Sequence, residues 1–82
     1  MTLTTKDLLQ IKCVYGFTQM DIASLLGVSD AHISNVIKGK KRFTERLSNR
    51  LINELQLTDS KLTRIREIYR EFKLWEAQHE ST

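Results

Sequence analysis

TQMDIASLLGVSDAHISNVIKGKKR, residues 18–42, joins two short apolar-patterned segments through a glycine-centred turn and ends on four basic residues in five positions. Two helices joined this tightly must cross closely. That requires a small residue where their backbones approach and a turn residue that tolerates positive φ. Ala23 is the small residue and Gly27 the turn residue. Val28, Ile33 and Val36 then pin the second helix to a core, and Ser29 is placed to cap it.

The same punctuation extends along the chain. Proline is absent, and Gly16, Gly27 and Gly39 each follow an apolar-patterned segment, where a left-handed C-cap belongs. Polar caps precede the segments at Thr4 or Thr5, Thr18, Ser29, Thr44 and Thr58 to Ser60. Thr4 with Asp7 and Thr18 with Asp21 have capping-box spacing, with aspartate in place of the usual glutamate. The pattern predicts five helices, at about 5–15, 19–26, 30–38, 45–56 and 60–78. The expected core faces are Leu8, Ile11 and Val14 or Tyr15; Ile22, Ala23 and Leu26; Ile33, Val36 and Ile37; and Leu47, Leu51 and Leu55. No stretch alternates as a strand does, so the expected class is all-α.

At 82 residues with 40% hydrophobic content, the chain suits one small domain with one core. No run of 18 apolar residues and no secretory leader is evident, and Cys13 is the only cysteine. A cytoplasmic protein without disulfides is expected, with Cys13 in the core. The net charge of +3 is unevenly distributed. Residues 34–50 carry Lys38, Lys40, Lys41, Arg42, Arg46 and Arg50 against Glu45 alone, whereas the segments on either side are each net −1. A basic window on a neutral body points to a polyanionic partner.

The segment 18–42 resembles the helix-turn-helix of the Cro-like and lambda-repressor-like family of bacterial and phage transcriptional regulators. The likeness covers about residues 5–57. It implies a five-helix lambda-repressor-like fold with the motif on the second and third helices, double-stranded DNA as partner, a homodimer and no cofactor. By the same resemblance Gln19 grips the DNA backbone, together with Thr18, Ser29, Lys38, Lys40, Lys41 and Arg42. Asp30, Ala31, Ser34 and Asn35 fall where the family reads base edges.

The residue chemistry is compatible with that assignment. If Ile33, Val36 and Ile37 are buried, Asp30, Ala31, Ser34, Asn35 and Lys38 occupy the outer face. Asn35 has the donor and acceptor to pair with adenine, Ser34 bonds to base or phosphate, and Ala31 suits a thymine methyl. Lys40, Lys41 and Arg42 supply affinity through counterion release. Asp30 departs from the family pattern, since a carboxylate at the leading edge of a reading helix is repelled by phosphate. It either accepts from cytosine N4 or serves the helix dipole.

Other features point away from catalysis. One cysteine and two separated histidines do not make a metal site, and His32 reads as a partly buried surface residue. Gly39-Lys40 lacks the remainder of a phosphate loop. No enzyme, small-molecule ligand or membrane association is expected. The fifth helix, in a C-terminal extension at 58–82 beyond a core at 1–57, carries Leu62, Ile65, Ile68, Tyr69, Phe72 and Trp75 in one stripe. That stripe is expected to pack partly on its own domain and partly, through Ile68, Tyr69, Phe72 and Trp75, against a two-fold partner. The function expected is sequence-specific repression by a homodimer on a pseudo-palindromic operator. The alternatives are a protein-interaction module, antitoxin-like or inhibitory, that holds a partner with its last helix, and a nucleic-acid binder without sequence preference.

Overall fold

Thr4 starts the first helix with both halves of a capping box: its hydroxyl accepts from Asp7 N–H at 3.2 Å, and its own N–H donates to Asp7 Oδ2 at 3.0 Å. Thr18 and Asp21 repeat the arrangement at the second helix. In a computed structural model that describes residues 2–79, the elements are α1 (Thr5–Tyr15), α2 (Gln19–Leu26), α3 (Asp30–Ile37), α4 (Glu45–Leu55) and α5 (Asp59–His79). No strand occurs among the described residues, so the fold is all-α. Met1 and residues 80–82, the outer ends of the two expected segments, lie outside them.

α1 packs on α3 and α5, and α2 packs on α3 and α4. One core results, in which Leu8, Ile11, Ile22, Ile33, Val36 and Leu51 are the most deeply buried apolar residues. Leu62 and Ile65 of α5 belong to the same core. Leu3, before α1, and Leu57, after α4, close it from the ends of the chain's four-helix portion. Val14, Ile37 and Leu55 are only half-buried, and Tyr15 is exposed.

The structure corrects several sequence expectations. Cys13 is exposed, not in the core, because α1 turns Leu8 and Ile11 inward and the thiol lies off that face. The left-handed residue that closes α3 lies one position later than the helix end suggests: Lys38 takes the cap position in a right-handed conformation, and Gly39, at φ 80°, ends the helix with its N–H on Val36 O at 3.1 Å. α4 ends without glycine on Gln56, which adopts φ 50°, and Leu57 N–H returns to Ile52 O at 2.9 Å. Burial of Leu57 holds the chain in that left-handed turn despite the cost of a side chain there. Along α5, the stripe is buried at Leu62 and Ile65, half-buried at Tyr69, and exposed at Ile68, Phe72 and Trp75. The Cα radius of gyration of 13.3 Å exceeds the roughly 12 Å expected for a compact chain of this length, consistent with a final helix that outruns the body.

Two polar contacts fasten the ends. Ser48 is fully buried on α4, and its hydroxyl accepts from Leu3 N–H at 2.7 Å. Ser48→Ala leaves that amide without a partner, so an expected loss of about 1–3 kcal/mol should appear in chemical denaturation. Arg66 of α5 donates to Asp7 Oδ1 at 3.2 Å, tying the start of α1 to α5.

Burial pushes the Asp7 carboxyl upward, but hydrogen bonds from the Thr4 backbone and from Arg66, with the Arg66 charge, outweigh it and hold the group below its ordinary 3.8. A carboxylate lowered in the folded state contributes stability above pH 3.8 and loses it as pH falls through the folded value. Urea titrations between about pH 5 and pH 2 should therefore show an acid limb that Asp7→Asn flattens. Asp21, lowered by the Thr18 backbone hydrogen bond, supplies the part that remains.

Candidate nucleic-acid interface

α2 ends at Gly27, whose φ of 68° sends the chain back toward α3, and Val28 N–H closes the turn on Ala23 O at 3.0 Å. Val28 packs against the core as the expected plug. Ser29 Oγ accepts from His32 N–H at 3.1 Å and starts α3. Arg50 of α4 braces the turn from outside: its Nε donates to Leu25 O at 3.0 Å. A Cβ at Gly27 would lie 3.3 Å from Arg50 Nη1, which the end of that side chain relieves by a small shift, so it is the positive φ that demands glycine.

Ile33 and Val36 face the core, which leaves Asp30, Ala31, Ser34, Asn35 and Lys38 along the outer side of α3. Asp30, Ala31 and Lys38 are exposed, whereas Ser34 and Asn35 are half-buried, and His32 is half-buried on another side of the helix. Gln19, at the start of α2, reaches across to α3, and its Nε2 donates to Asp30 Oδ1 at 3.1 Å. The two residues that the sequence singled out separately are thus partners. The bond occupies one lone-pair site of the carboxylate that phosphate would otherwise repel, and it fixes the leading ends of α2 and α3 to each other.

At the other end of α3 the basic turn folds back onto the helix. Lys38 N–H donates to Ser34 O at 3.0 Å, and Lys40 and Lys41 N–H both donate to Asn35 O, at 2.8 and 3.2 Å. Gly39 makes this reversal through its φ of 80°; a Cβ there would meet nothing within 4 Å, so only the conformation demands glycine. Lys38, Lys40, Lys41 and Arg42 are all exposed. The backbone of Asn35 therefore positions the cationic turn, while its side chain belongs to the outer row of α3.

These contacts form two groups along α3, Gln19 with Asp30 at its start and Ser34 and Asn35 with Lys38, Lys40 and Lys41 at its end. Thr18 and Ser29 are committed to capping α2 and α3. Arg46 and Arg50, absent from the site expected from sequence, stand exposed on α4 and line one groove with Lys41 and Arg42. Their inclusion in the basic window was the available signal. The exposed stripe residues of α5 are far from this chemistry in kind: Phe72 stacks with Trp75 at 6.5 Å, and Trp75 with His79 at 4.2 Å.

Among the described residues, no three His, Cys, Asp or Glu side chains gather to hold a metal ion. No helix among them is long and apolar enough to cross a membrane. Comparison of the chain with family models, with curated proteins and with solved structures finds no match.

Proposed function

We propose that this chain is a cytoplasmic, sequence-specific duplex-DNA-binding regulator of the Cro-like and lambda-repressor-like kind, with α2, the turn and α3 as its helix-turn-helix. One observation carries the reading: a row of small polar and apolar side chains on α3 runs directly into an exposed cationic turn anchored on that same helix. In this reading α3 enters the major groove, Ser34 and Asn35 meet base edges, and Ala31 meets a thymine methyl. Lys38, Lys40, Lys41 and Arg42 meet phosphate. The protein acts by binding, without catalysis or cofactor, and most simply represses by steric exclusion.

The exposed face of α5, with Ile68, Phe72 and Trp75, supports a homodimer, since isolated aromatic stripes of this kind are a liability on a monomer. The same face also favours a second reading, in which a different protein covers it and the chain is an antitoxin-like or inhibitory subunit. Titration of labelled duplexes separates the two. Asn35→Ala should cost about 1–3 kcal/mol on the preferred duplex and relax specificity at one position, while Lys40→Ala weakens all duplexes alike and lowers the salt slope by about 0.9. No duplex binding at low salt by the parent protein would refute the regulator reading.

A further inference from the structure

Beside α3, the α2–α3 turn and the first half of α4 border a groove of which the proposed function uses only the Lys41 and Arg42 rim. Leu26 and Leu47 contribute an apolar floor, and Lys41, Arg42, Arg46 and Arg50 contribute cations. Among the described residues, no carboxylate lines it. A neighbouring depression along α4 shares Arg46 and Arg50 with the groove and adds Glu45 and Glu54. The groove measures about 790 Å³, within the roughly 300–1,000 Å³ of small-molecule sites.

One wall is preorganised. Arg50 Nε is held by Leu25 O at 3.0 Å, and its guanidinium lies against Gly27, so the side chain does not have to be immobilised by a ligand. Glu54 comes to 3.9 Å from the same Nε, beyond hydrogen-bonding distance. Thr44, which caps α4, also borders the groove and places the positive end of that helix beside it.

We propose that this groove binds a small organic anion that carries one ring or short branched chain. The apolar part rests on Leu26 and Leu47, and the carboxylate or phosphate group lies between Arg46, Arg50 and Lys41. Inorganic phosphate makes no use of the apolar floor, and a neutral ring makes no use of the cations, of which only Arg50 has a carboxylate near it among the described residues, Glu54 at 3.9 Å. A ligand that joins the two groups satisfies both. Such a ligand draws Lys41 and Arg42 away from nucleic-acid phosphate, so it competes with duplex; that consequence rests on the regulator reading, whereas the binding does not.

The test is titration of the isotope-labelled protein with phenyl phosphate, followed by backbone amide shifts in the absence of nucleic acid. The expected result is saturable movement of the Leu26, Thr44 and Leu47 signals, with affinity about tenfold tighter than for inorganic phosphate. Arg46→Gln, whose remaining spectrum should be unchanged, is expected to weaken binding about fivefold or more. Equal affinity for inorganic phosphate, equal affinity for benzyl alcohol, or shifts confined to other residues would overturn the proposal. Absence of saturation would overturn it too, and none of these outcomes depends on whether the chain binds duplex.

Discussion

Ile33→Ala lowers the free energy of unfolding by about 2–5 kcal/mol. Ile33 has no exposed surface and lies on the inner side of α3, in the core shared with Ile22, Val36 and Leu51. Truncation removes apolar burial and leaves a cavity that surrounding helices fill only in part. A domain of 82 residues has a total stability of roughly 4–12 kcal/mol at about 0.05–0.15 kcal/mol per residue, so a large share of it goes. The consequence reaches the outer side of the same helix, because Ser34 and Asn35 are held in position by what Ile33 and Val36 bury. Chemical denaturation followed by circular dichroism measures the effect. A loss below about 1 kcal/mol would mean that α3 is not seated on the core as described.

Replacing Lys40, Lys41 and Arg42 together by glutamine has the largest expected effect on binding. Each phosphate contact contributes about 0.9 to the slope of log affinity against log salt, so the slope should fall by nearly three. At about 1 kcal/mol per contact, affinity at physiological salt drops roughly a hundredfold. All three side chains are exposed, and the hydrogen bonds that anchor the turn come from the Lys40 and Lys41 backbone. The fold should therefore be unaffected, within about 0.5 kcal/mol. Anisotropy titrations across a salt series give both slope and affinity. An unchanged slope would remove the cationic turn from the interface.

Much of the architecture was legible because local chemistry and core pattern agree. Thr4–Asp7 and Thr18–Asp21 are short-range devices, and both form as the spacing indicates. Ala23, Gly27, Val28 and Ser29 likewise act within a few residues of one another. The parts that were not legible depend on distant partners. Nothing near Ser48 in sequence marks it as buried; its partner, the Leu3 N–H, lies 45 residues away. Asp7 is evident as a cap residue, but its link to Arg66 spans 59 positions.

Gln56 shows a different limit. Its left-handed conformation carries no glycine signal, because the burial of Leu57 is what imposes it. Cys13 lies outside the core because apolar neighbours in sequence are not neighbours on a helix face. In the candidate interface, the outer row of α3 follows from periodicity alone. The bond from Gln19 to Asp30 does not, since it depends on how α2 crosses α3. That bond also gives Asp30 a structural partner, which shifts the weight of base recognition toward Ala31, Ser34 and Asn35.

Selection of bound sites from a pool of random duplexes tests the central proposal most directly. If α3 reads bases from a two-fold dimer, the recovered sequences should contain an inverted repeat with half-site centres about 34 Å apart, or a multiple of that spacing. Asn35→Ala should blur one position in each half-site. Recovery of unrelated sequences, with no repeat and no difference between the parent protein and Asn35→Ala, would contradict it.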